Sequence, residues 1–281
     1  MRVFISVDME GATGVCHREH LLPGGDDYQK ARGWLVGDVN AAVRGAFDAG
    51  ASDVLVADGH GTMRNILLDD LDPRARLLTG PAQPGNRPLA QLGALGPDTF
   101  DVAMLIGHHS RAGTPGGLLA HTWIGMVVTE IRLNGRPASE AMLNMAILGH
   151  YGIPVVMASG ADDFCRQMRE DFGDGIVLAE VKQALGPTAI VTLPLGAAHT
   201  RIEKAARDGL EAGGTPYVVD TPVVIEVDVH RDAMRDRALE LGVAPVGRLG
   251  FRVEGEDVVA AVEAVWRALV HVTREDVAFL R

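Results

Sequence analysis

The sequence has little cysteine, little lysine, few aromatic residues and no long apolar run, and each shortage excludes something. Two cysteines, Cys16 and Cys165, in 281 residues supply no disulfide framework, and a cytoplasmic setting is expected. No apolar stretch approaches the ~20 residues of a membrane-spanning helix. The opening segment Met1-Arg2-Val3-Phe4-Ile5-Ser6-Val7-Asp8 meets an acid too early for the apolar core of a signal peptide. No membrane partner is expected. Lysine occurs only at Lys30, Lys182 and Lys204, and 26 basic side chains face 37 acidic ones, for a net charge of −11. A chain of that sign repels phosphate backbones, so nucleic acid is not an expected partner. Several catalytic signatures are also missing. There is no Gly-x-Ser-x-Gly elbow. The Gly-rich stretch Gly113-Thr114-Pro115-Gly116-Gly117 is not followed by the Gly-Lys-Ser/Thr of a phosphate cradle. Cys16-His17-Arg18-Glu19-His20 lacks the second half of a zinc finger and reads as a polar loop.

What is present is an ordinary globular composition. Hydrophobic residues make up 47% of the chain and charged residues 22%, enough apolar surface for a large core and no case for disorder. Val3, Phe4, Ile5 and Val7 accumulate rather than alternate, as in a strand buried on both faces. Apolar residues from Ala31 to Phe47 recur at helical spacing, and Gly50 stops that helix. Asp53-Val54-Leu55-Val56-Ala57 is a second buried strand, which makes 2–57 a strand–helix–strand unit with parallel strands. Residues 80–97, rich in Pro and Gly, read as a surface connection. Further strands are expected at 102–106, 126–133 and 154–158, with a turn at Asn134-Gly135. Helices are expected at about 139–150, 162–172 and 197–212. The last ninety residues read as strand 223–229, helix 231–241, strand 248–253 and an amphipathic helix 256–272. The expected fold class is α/β, a largely parallel sheet flanked by helices with a smaller C-terminal α/β domain. The expected division is 1–195 for a metal-binding catalytic domain and 196–281 for support or oligomerisation.

Chemistry-bearing residues gather where the strands end. Asp8 and Glu10 lie two apart after the first strand, and a period of two points both to the same side. Neighbouring carboxylates repel unless a cation separates them or one is protonated. Asp58-Gly59-His60 ends the second strand and Gly107-His108-His109 the third. Ligands of α/β sheets bind outside the carboxyl ends of strands, and Asp, Glu and His are the usual ligands of a catalytic zinc. Each group also has a plain alternative. Asp8 could cap a turn, and His60 could be a loop residue. His108 and His109 cannot both face one site from an extended chain. Glu140 could be a first-turn helix acid, worth about 0.3–1 kcal/mol through the dipole. Coincidence outweighs these alternatives, because three successive expected strands end in ligand-type residues on one edge.

Ser6-Val7-Asp8-Met9-Glu10-Gly11 resembles the opening signature of the DppA-type D-aminopeptidases, the M55 metallopeptidases. The resemblance continues through 54–60, through Gly107-His108-His109-Ser110-Arg111-Ala112, through Thr114-Pro115-Gly116 and His121, and ends clearly in Asn134-Gly135-Arg136-Pro137-Ala138-Ser139-Glu140. It implies a zinc-dependent aminopeptidase with two zinc ions per chain. The ligands would correspond to Asp8, Glu10, His60, His109 and Glu140, and His121 to a catalytic, non-ligand histidine. His109 is preferred over His108 because the family's ligand precedes a small-polar/Arg/Ala stretch. The resemblance also implies a ring-like homo-oligomer, a decamer. It further implies short peptide substrates with a free N-terminal D-residue, such as D-Ala-D-Ala, hydrolysed by a two-metal-activated hydroxide. A metal-dependent amidohydrolase or phosphoesterase on another small substrate would use the same ligands. A non-catalytic metal-binding assembly protein would have no use for His121.

Overall fold

The computed structural model describes residues 1–81 and 89–273. In chain order it runs β1 (Arg2–Val7), α1 (Tyr28–Asp48), β2 (Asp53–Asp58), β3 (Arg76–Leu78), β4 (Val102–His108), β5 (Val128–Leu133) and β6 (Arg136–Pro137). Then come α2 (Glu140–His150), β7 (Val155–Ala161), α3 (Asp162–Phe172), β8 (Val177–Gly186), β9 (Ala189–Thr192) and α4 (Leu195–Ala212). The chain closes with β10 (Val223–Val229), α5 (Asp232–Leu239), β11 (Ala244–Val246), β12 (Gly250–Gly255) and α6 (Val258–Thr273).

The strands form two sheets, ordered β3-β2-β1-β4-β7-β8-β9 and β11-β12-β10-β5-β6. In the first, every pairing is parallel except β8 with β9 at the edge. The second is antiparallel throughout. The expected α/β class, with a largely parallel sheet flanked by helices, is what the chain adopts. Two strands come from a stretch, 173–192, that shows no periodic signal in the sequence: β8 and β9 form a hairpin at the edge of the first sheet. The second sheet draws β5 and β6 from before residue 195, while α4, which follows, packs on α1, β7 and β8. Part of the expected connection at 80–97, residues 82–88, lies outside the described residues.

Period-two geometry explains the layers. Val3, Ile5 and Val7 of β1 face a core made with α1 and α4. Phe4 faces the opposite way, into a core shared with α2, α6 and the inner residues of the second sheet, Ile131, Ile225 and Val227 among them. Val3, Phe4 and Ile5 are fully buried, each worth about 1.5–3 kcal/mol relative to exposure. With both faces covered, polar groups can emerge from the central strands only at their ends. Among the described residues no helix is long and apolar enough to cross a membrane.

Candidate metal centre

The central strands β2, β1 and β4 lie side by side in register, with Val7 paired to Asp58 on one side and Ile106 on the other. Their carboxyl ends therefore stop at the same level. Two glycines let the following loops close over that level. Gly11 donates its N–H to the Gly107 carbonyl at 2.8 Å, and a Cβ at Gly11 would lie 1.9 Å from the His108 carbonyl oxygen. Gly107 has φ +73°, and a Cβ there would sit 2.2 Å from the Asp8 carbonyl. Only glycine fits such an approach.

The structure brings all six expected residues together. His60 Nδ1 lies 3.0 Å from Glu10 Oε2 and 3.5 Å from Asp8 Oδ1. His109 Nε2 lies 3.3 Å from Asp8 Oδ2 and 3.4 Å from Glu140 Oε1. His121 Nε2 is 3.8 Å from both Glu10 Oε1 and Glu140 Oε1, and its ring stacks on His109 at 4.1 Å with 6° between planes. Ligand-type atoms of Asp8, Glu10 and His109, and of His109, His121 and Glu140, lie within 4.8 Å of one another in each group. Asp8, Glu10 and His109 are buried, and His121 is the most open, at 26% side-chain exposure.

Each imidazole is held by its other nitrogen. His109 Nδ1 bonds the Ser110 carbonyl at 2.9 Å, and His121 Nδ1 bonds the Leu119 carbonyl at 2.9 Å. His60 reverses the pattern, with Nε2 on the Leu21 carbonyl at 3.1 Å. A carbonyl can only accept, so each of these nitrogens carries a hydrogen, and the opposite nitrogen is the one that faces the centre. Glu140 opens α2, where Ser139 caps the helix by accepting from Met142 N–H. Its carboxylate is turned inward and accepts the Trp123 N–H at 2.6 Å. A first-turn acid that only served the helix dipole would have no such partners.

Three carboxylates converge here, and the electrostatics register it. Burial raises the Asp8 pKa, yet contacts from His109 and His60 win and hold it well below the carboxylate range. Burial alone would lower His60 and His109, but Glu10 and Asp8 around His60, and Asp8 and Glu140 around His109, push both well above the usual imidazole value. Glu140 is lowered: burial opposes, His109 prevails. The protein by itself balances the cluster with protons on imidazole. A divalent ion would do the same with nitrogen lone pairs. His109 Nε2 is buried without an aligned hydrogen-bond partner, although two carboxylates flank it, as fits a metal ligand. Oxygen and imidazole donors in this mixture suit zinc.

His108 is outside the cluster. It is fully buried, 3.5 Å from Ser6 Oγ and stacked beside Phe164, and burial lowers its pKa. The loop 16–20 also stays apart: His20 accepts the Cys16 N–H and sets its ring edge against Trp34. Cys165 is a buried thiol pushed up to about 12, with no nucleophilic role. Sequence reasoning missed the supporting groups. Asn65 donates to the His60 carbonyl and to Asp58. Asp163 accepts from Ser110 Oγ and the Leu118 N–H. Lys182 reaches the turn that carries Glu10, with burial pulling its pKa down to about 7. No spacing in the sequence announces such contacts, because most of the partners are backbone atoms.

The chain and its fold are similar to known proteins. The chain is 33% identical over 207 residues to a D-aminopeptidase of Bacillus subtilis (strain 168), covering 73% of each. Its fold superposes with a TM-score of 0.91 and 26% identity on the solved Zn-dependent D-aminopeptidase DppA from Bacillus subtilis, described as a self-compartmentalizing protease, across 98% of both chains. The sequence profile of the M55 peptidases, described as D-aminopeptidase, matches residues 1–267. The chain belongs to the M55 peptidase family, the D-aminopeptidases, and is a hydrolase of that family.

Proposed function

We propose that the chain is a zinc-dependent aminopeptidase acting on short peptides with a free N-terminus, with D-residue peptides such as D-Ala-D-Ala as the preferred class. The observation that carries this reading is the buried convergence of Asp8, Glu10 and Glu140 on His60 and His109, with His109 Nε2 turned into the centre between Asp8 and Glu140. Those five residues would hold two zinc ions per chain. Bound there, the metal supplies Lewis-acid polarisation of a carbonyl and a water acidified to a pKa of about 7. The D-preference rests on the relatives' described activity.

The chain's own residues account for the rest of the chemistry. The carboxylates keep the centre anionic enough to retain divalent ions. The Ser110 and Leu21 carbonyls fix the ring faces of His109 and His60. His121, more open than the others, presents Nε2 with its hydrogen held on Nδ1. From there Nε2 takes up a proton, and the imidazolium gives it to the leaving amine or hydrogen-bonds the developing oxyanion. The Leu119 and Trp123 backbones flanking it have φ of +50° and +58°, costly for non-glycine residues, so this loop is held in place by its surroundings.

Residues 1–195 carry every proposed ligand, and 196–281 are assigned to support or oligomerisation. Assembly into a homo-oligomer, a decamer, is supported by the self-compartmentalizing description of the structural relative; a light-scattering mass at the monomer value would contradict it. A cytoplasmic location is part of the same proposal. The direct test of substrate is a dipeptide panel with D-Ala or L-Ala at the N-terminus, assayed before and after chelation. Chelator-sensitive cleavage favouring D-Ala-D-Ala is expected. Cleavage of L-Ala peptides alone would overturn the substrate class.

A further inference from the structure

Lys182 is buried, at 3% exposure, on β8, where it pairs with Ala161 of β7 and Thr192 of β9. Its Nζ lies 2.6 Å from each of three backbone carbonyl oxygens, those of Glu10, Ala12 and Val15. An ammonium has three hydrogens, and three acceptors use all of them. No side-chain carboxylate shares the contact, so this is not an ion pair. Three carbonyl dipoles aimed at one point repel one another, and a central positive charge removes that cost. The turn after β1 is thus wound around a cation that the protein supplies from its own chain.

A second clamp holds the same turn. Asp38 of α1, fully buried, accepts the Thr13 N–H at 2.8 Å and the Thr13 hydroxyl at 2.9 Å. Glu10 opens this turn. Its carbonyl is one of the three on Lys182, and its carboxylate reaches His60 and approaches His121. The peptide that Lys182 grips and the carboxylate at the centre belong to one residue, so displacing the first moves the second.

We propose that Lys182 is a positioning residue of the metal centre, an internal tethered cation that sets the 10–15 turn and thereby the place of the Glu10 carboxylate. This rests on the metal reading above. The wild-type chain, stripped of metal and titrated with zinc against a chromogenic chelator, tests that reading separately: if wild type takes up no zinc, it is the metal reading that fails. Given wild-type binding, Lys182→Met keeps the apolar stem and removes the donors. Zinc affinity should fall by about 10–100-fold, the usual effect of losing a group that orients a ligand. Lys182→Arg keeps the charge but delivers it through a longer planar fork, and should fall between wild type and Lys182→Met. Far-UV circular dichroism and Tm on the same preparations show whether each variant is folded. A purely structural lysine would lower Tm and leave the zinc affinity of the folded protein unchanged. Wild-type zinc affinity in either folded variant overturns the proposal, and if Lys182→Met does not fold, Lys182→Arg decides alone.

Discussion

In the seven-stranded sheet, β1, β2 and β4 are buried almost from end to end, and their buried titratable groups come at the carboxyl ends or just past them. In the five-stranded sheet, β10 alternates buried Val223, Ile225, Val227 and Val229 with half-buried Val224, Glu226 and Asp228. The first pattern delivers Asp8, His60 and His109 to one edge, aimed at a common point. The second spreads its charges along a face, where Arg132 of β5 reaches Glu130 at 2.6 Å, Glu226 at 2.9 Å and Asp228 at 2.7 Å. That cluster has its cation built in. The cluster at the strand ends gathers three carboxylates, and among the described residues the basic side chains paired with them are imidazoles. On the proposed metal reading, the difference separates charges that stabilise from charges that hold an ion.

Substitutions on the two sides should part accordingly. The largest effect belongs to a proposed ligand. His109→Ala should lose zinc and activity together, because an open zinc site needs its full set of protein ligands; metal analysis and rate on one preparation check it, and retained zinc would remove His109 from the ligand set. Next is His121→Ala. It should keep its metal and lose about 10²–10⁴-fold in kcat, with KM changed less, since the contact belongs to the transition state. Loss of zinc would make His121 a ligand, and near-normal kcat a bystander. The smallest effect on activity belongs to the second sheet. Arg132→Met leaves three carboxylates unpaired on a partly buried face and should lower stability by about 1–3 kcal/mol, read by chemical denaturation. Zinc content and kcat should not change. If they did, the two charge clusters would not be independent.

The same contrast explains what the sequence disclosed. Strands buried on both faces leave continuous apolar runs, so β1, β2, β4 and β7 were legible, and the residues just past three of those runs marked the site. The amphipathic helices α1 and α6 were legible from their spacing. The hairpin of β8 and β9 was not, since as an edge pair it is largely half-buried or exposed beyond Lys182 and shows no clean period. Nor could the sequence show that β5 pairs with β10, a contact across about ninety residues of chain. Within the site, side chains that face one another could be inferred from strand ends. Backbone partners could not, so Lys182 entered the sequence reading only as one of three lysines. Extended-chain geometry allowed only one of His108 and His109 at the site, the family resemblance favoured His109, and the structure places only His109 in the cluster.

The central claim is that the strand-end cluster is a two-zinc centre. The most direct measurement is elemental analysis of protein purified without chelator, followed by chelation and re-addition of zinc with activity followed throughout. The account predicts about two zinc ions per chain, lost together with peptidase activity and restored with it. Zinc well under one equivalent, with activity indifferent to chelation, would contradict it.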